Sequence, residues 1–102
     1  MIGLEYYAEQ VCDYYGIDVN EMKSRSQIPE LAGPRHMFFH VAKRYTGATL
    51  QEIGKFCGGR HHTTVMHGIN KVNALQIYED VKEDIHKLEF IIQESCTIIP
   101  QI

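Results

Sequence analysis

The chain has no tryptophan, only three prolines and only three cysteines in 102 residues. It has no apolar run near the roughly 20 residues that cross a bilayer. Residues 1–10 lack both the basic start and the apolar stretch of a secretory leader. No GxxxxGK[ST] phosphate loop occurs, and the length leaves no room for a large ATPase or polymerase module. Cys12, Cys57 and Cys96 are odd in number, widely spaced and form no CxxC pair, which argues against a zinc ribbon or a dithiol redox motif. They read as free, small, buried side chains in a reducing cytoplasm. Strand-like alternation, internal repeats and low-complexity tracts are missing as well. What remains is a chain that is 44% hydrophobic and 23% charged, enough for one core and one domain over residues 1–102.

The net charge of −3 conceals an uneven distribution. Residues 1–22 carry five acids and no Lys or Arg. Residues 23–71 carry eight cations (Lys23, Arg25, Arg35, Lys43, Arg44, Lys55, Arg60, Lys71) against Glu30 and Glu52. Residues 72–102 hold Lys82 and Lys87 against six acids. Five of the six histidines (His36, His40, His61, His62, His67) also fall in the central block. A basic centre between acidic flanks suggests one face built for an anion. Protonation of those histidines near pH ~6 is expected to strengthen anion binding.

Apolar spacing predicts six helices and an all-α fold. Leu4, Ala8, Val11, Cys12 and Tyr15 lie on one helical face, and Gly16 is a stop. Asp18 with Glu21 forms a capping-box pattern for a short turn through Met22. Residues 23–33 read as a loop broken by Pro29 and Gly33. Pro34 then stands where a first helical residue would, and that helix runs to about Tyr45. Met37, Phe38, Val41, Ala42 and Tyr45 form its apolar face, with His36, His40, Lys43 and Arg44 opposite. Thr49 with Glu52 marks the next helix start, and Cys57-Gly58-Gly59 its end. A helix from near His61 carries Val65, Ile69 and Val72 at i, i+4 and i+7. A last helix covers about residues 78–95, and the apolar tail that follows either docks or frays.

Residues 49–73 carry the chemistry. A short helix, a glycine turn and a longer helix make a helix-turn-helix. In the second helix Val65, Ile69 and Val72 face the core, while His62, Thr63, Thr64, His67 and Lys71 point elsewhere and can all hydrogen-bond. Its first turn is rich in donors and has no acid. Such a helix start suits the major groove, where short polar side chains reach base edges and thymine methyls. Unpaired N–H groups there favour phosphate.

The stretch Gly58-Gly59-Arg60-His61-His62-Thr63-Thr64-Val65 resembles the GGRDHTTV signature of the C-terminal DNA-binding domain (domain IV) of the bacterial replication initiator family DnaA. Leu50-Gln51-Glu52-Ile53-Gly54-Lys55-Phe56 is similar to the helix before that turn, and Pro34-Arg35-His36-Met37 to the family's PRQ-M segment. Tyr14-Tyr15-Gly16-Ile17 and Met22-Lys23-Ser24-Arg25-Ser26 are similar to its entry region, so about residues 5–90 can be matched. The resemblance implies an all-α, Trp-repressor-like fold that binds a short box of double-stranded DNA, as in replication-origin recognition. It implies base reading by His62, Thr63 and Thr64, and DNA-backbone contacts from Arg35, Lys43, Arg60 and Lys71. Lys23 and Arg25 would lie in a basic loop at the minor groove. His61 stands where the family has Asp, so the box is expected to differ at that base. Gly33, His36 and Asn70 replace a basic residue, Gln and Arg, lowering charge or reach.

With Met1 read as its start, the chain is expected to be a stand-alone, cytoplasmic, nucleoid-associated bacterial protein. Without an ATPase module such a protein binds DNA but does not melt it. A role in replication initiation or its regulation follows, with a full-length initiator or another replication protein as a further partner. No cofactor, metal, membrane or small-molecule substrate is expected. His62 and His67 are five residues apart, which turns their rings away from each other, and no acid completes a catalytic chain, so the chain is not expected to be an enzyme. The alternatives are a helical protein-interaction module, or a phage or mobile-element regulator that does not read the initiator box.

Overall fold

A computed structural model describes residues 3–98. Among them the regular elements are six helices: α1 (Leu4–Tyr15), α2 (Val19–Lys23), α3 (Pro29–Tyr45), α4 (Leu50–Phe56), α5 (His62–Leu75) and α6 (Glu79–Ile98). Expectations for residues 99–102 and for the Cys96 side chain fall outside what is described.

Local chemistry sets most boundaries. Gly16 closes α1 in a left-handed conformation (φ 71°). Asp18 and Glu21 form a reciprocal cap on α2, and Thr49 and Glu52 do the same on α4. The start of α3 departs from the expectation. Pro29, not Pro34, is its first residue, and Pro34 lies inside the helix. Leu31, Pro34 and Arg35 continue the buried stripe of Phe38, Phe39 and Ala42, so packing extends the helix one and a half turns backward. Gly33 precedes Pro34, and with no Cβ it escapes the clash that bars other residues before proline from helical angles. The loop therefore shrinks to residues 24–28.

The core gathers on α3. Phe38 and Phe39 are buried with Val11 and Cys12 of α1, Met22 of α2, Ile53 of α4, Val65 of α5, and Leu88 and Ile92 of α6. Each large buried side chain contributes roughly 1.5–3 kcal/mol. Gly68 brings α5 close to α3, since a Cβ there would stand 2.7 Å from the Phe39 ring. The long α6 is tied to α1 where Tyr14 and Tyr15 both donate to Asp84, at 2.7 and 3.3 Å. Burial and that carboxylate push the Tyr14 phenol up to about 12. Arg44 pairs with Glu89 at 3.2 Å and links α3 to α6. Burial pushes the Cys12 thiol up to about 11, as befits a packing residue beside Met22.

Candidate nucleic-acid interface

The site begins at the turn between α4 and α5. Gly58 and Gly59 take φ of 76° and 77°, which side chains with a Cβ rarely adopt. Gly58 also lies against the Lys23 carbonyl, where a Cβ would collide. Gly54 packs as tightly on the Arg60 carbonyl, and the Arg60 amide donates to the Gly54 carbonyl at 2.8 Å. The turn thus has no slack, and it fixes the angle between the two helices.

His61 caps α5. The Thr63 amide donates to His61 Nδ1 at 3.2 Å, and the Thr63 hydroxyl lies 2.8 Å from the same nitrogen. An Nδ1 that accepts from an amide carries no proton, so the neutral ring carries its proton on Nε2. His61 and Thr64 are exposed, and His62 and Thr63 half-buried. The His61 and His62 rings lie 4.2 Å apart. Further along α5, His67 and Lys71 are exposed, while Val65 and Val72 are buried.

Two arginines expected to hold phosphate have their guanidinium donors engaged within the protein. Arg35 is only 7% exposed. Its Nε donates to the Met22 carbonyl at 2.7 Å and its Nη2 to those of Ser24 (3.0 Å) and Glu21 (3.3 Å). Arg60 is half-buried, and its Nη2 donates to the Ser24 carbonyl at 2.7 Å. Its Nη1 donates to the carbonyls of Cys57 (2.7 Å) and Lys23 (3.5 Å). The two guanidiniums converge on the C-terminal end of α2, where carbonyls lack helical partners. Lys23 is half-buried, with its Nζ 4.2 Å from the centre of the Phe56 ring.

Two surface hollows flank the start of α5. One, of about 350 Å³, is lined by Arg25, Gln27, Arg35, His36, Arg60 and Thr64, among others. The second, of about 380 Å³, is lined by Gln51, Lys55, Gly59, Arg60, His61 and His62. Neither lining contains an acid. The fold therefore gathers Arg25, Arg35, Arg60, His61, His62 and Thr64 on one face. Lys43 stays exposed near the α3–α4 connection, its Nζ 3.5 Å from the Ala48 carbonyl, and lines neither hollow. Lys71 lies beside His36 and Asp84 around a separate cleft. Sequence reasoning counted Lys55 in the basic block but did not single out Gln27, Gln51 or Lys55 as contacts. Gln51 and Lys55 are four apart on the exposed side of α4, a spacing that could have marked them.

The histidine expectation is narrowed as well. Burial, with the nearby Lys71 and Arg35 charges, holds His36 below the ordinary histidine range. Burial and Arg44 hold His40 low in the same way. These two resist the protonation that would add charge to the face.

The family model described as "Bacterial dnaA protein helix-turn-helix" matches residues 5–72. The chain belongs to the bacterial DnaA helix-turn-helix family. With that membership it is an all-α DNA-binding domain of the replication-initiator type. The chromosomal replication initiator protein DnaA of Methylobacillus flagellatus is 38% identical over 94 residues, covering 91% of this chain and 20% of that protein. The DnaA of Zymomonas mobilis is 36% identical over 88 residues, covering 85% and 18%. That of Roseobacter denitrificans is 34% identical over 94 residues, covering 91% and 21%. The chain thus spans about a fifth of the length of the curated relatives it matches. Among the described residues no helix is long and apolar enough to cross a membrane.

Proposed function

We propose that this chain binds double-stranded DNA by sequence, with the first turn of α5 in the major groove and the loop at residues 24–28 against the adjacent minor groove. The observation that carries the reading is the acid-free face on which the α5 start and Arg25 lie beside one hollow. Thr64 and His62 meet base edges, and the Thr64 methyl suits a thymine. Phosphates are held by Lys43, Lys55 and Lys71, while Arg25 brings its charge to the minor groove. His61 offers an Nε2–H donor, so it selects an acceptor such as guanine N7 or O6, where an Asp would accept from cytosine. The role is recognition and not catalysis: the chain acts in the bacterial cytoplasm, in replication initiation or its regulation, alone or beside a full-length initiator.

Selection of bound duplexes from a random pool tests this directly. A recovered box related to that of the initiators, altered at the base facing His61, is the expected result. Charge neutralisation by these four cations gives log K against log salt a slope of about −3.6. A slope near zero, with no sequence enriched, would instead make this a helical protein-interaction module.

A further inference from the structure

We propose that Arg35 and Arg60 are positioning residues: they act on DNA through Arg25, by gripping the loop that carries it, and not by holding phosphate. The inference rests on the duplex-binding reading above. Both guanidiniums meet at Ser24. Its carbonyl accepts from Arg35 at 3.0 Å and from Arg60 at 2.7 Å. That carbonyl belongs to the planar peptide whose nitrogen is Arg25's. Holding the oxygen from two directions restrains that plane, and with it the place from which the exposed Arg25 side chain projects. Around it the loop is held by short local bonds: Ser24 Oγ to the Glu21 carbonyl at 2.6 Å, and Ser26 N to Ser24 Oγ and Ile28 N to Ser26 Oγ, both 3.3 Å. The arginine grip adds the long-range restraint that sets Arg25 relative to α3 and the turn before α5.

The two arginines come from different places. Arg35 projects from α3, and Arg60 from the same turn that sets the angle of α5. Arg60 also holds the Cys57 carbonyl of that turn at 2.7 Å. One side chain thus bridges the turn that aims α5 and the loop that carries Arg25, so the major-groove and minor-groove elements keep a set spacing. A planar guanidinium can serve two or three carbonyls at once; an ammonium on a flexible stem cannot hold the same fork.

The test is a double-mutant cycle on the selected duplex, with Arg35→Lys and Arg25→Ala made singly and together, each well below its melting temperature. Arg25→Ala should weaken binding about ten-fold and relax preference at one minor-groove position. Arg35→Lys should relax the same position, and the double variant should be no worse than Arg25→Ala alone. Arg60→Lys serves as a second variant if Arg35→Lys does not fold. Without DNA, tryptic cleavage of the Arg25–Ser26 bond, followed by mass spectrometry, should run several-fold faster in either lysine variant. Losses that multiply in the double variant, with a salt slope shallower by about one, would make Arg35 a phosphate contact and overturn the proposal. Unchanged cleavage of that bond would overturn it as well. Failure of the unaltered chain to bind any duplex would overturn the duplex reading, and the proposal with it.

Discussion

The start of α5 and the loop at residues 24–28 are neighbours on one face, yet they are held by different means. The α5 residues are placed by a helix: backbone bonds, the His61 cap and the buried Val65 and Val72 decide where Thr64 and His62 point. The loop has only turn-scale bonds of its own, between near neighbours in sequence. Its place is set from outside, by guanidiniums that arrive from α3 and from the helix-turn-helix turn. Regular structure holds a recognition residue by short-range geometry; an irregular segment needs long-range partners. Two of the eight cations of the basic block thus direct their donors to backbone carbonyls.

That contrast can be broken at several points. The largest effect is expected at Gly58, which meets both constraints, a left-handed angle and the Lys23 carbonyl. Gly58→Ala should cost about 3 kcal/mol or more, whereas Gly59→Ala, with open space around it, should cost only about 1 kcal/mol. Equal losses of stability in thermal melts would mean that the contact with Lys23 is unimportant. Next, Arg35→Ala should destabilise the fold by about 2–3 kcal/mol, because it strands buried carbonyls. Lys43→Ala should change stability by less than about 0.5 kcal/mol while weakening binding to every duplex alike. Denaturant titration beside a binding assay separates the two.

A subtler change is His61→Asp. It keeps a cap on α5, with stability changed by about 0.5 kcal/mol or less, but replaces a donor by an acceptor. Repeated duplex selection should then move one position from an acceptor base toward cytosine. Smallest is the pH effect. His36 and His40 have folded pKa values below the ordinary 6.5. Their contribution is complete above that value, and it is lost as pH falls from it toward the folded values. Melting temperature should drop between about pH 7.5 and about 5.5, and His40→Gln should flatten the drop. A curve that ignores both histidines would mean they stay hydrated in the fold.

Much of this was legible in the sequence. The capping pairs Asp18–Glu21 and Thr49–Glu52, the glycine turn and the Val65–Val72 stripe each depend on residues close together in the chain, so pattern alone located them. The start of α3 was not, because Gly33 and Pro34 are breakers by propensity and only tertiary burial overrides them. The burial of Arg35 was hidden for a related reason. The resemblance implied a contact at the surface, while its position between Leu31 and Phe38 on an apolar stripe pointed inward. The partners that explain it, at Glu21, Met22 and Ser24, sit on another element, and no periodicity reveals them.

The grip of Arg60 on the Lys23 and Ser24 oxygens has a practical consequence for anyone wishing to transplant the DNA-reading motif into another scaffold. Excising residues 49–73 as a cassette would leave the acceptors behind, and would seat Gly58 against a vacancy. A graft meant to keep its aim must bring the end of α2 along with it.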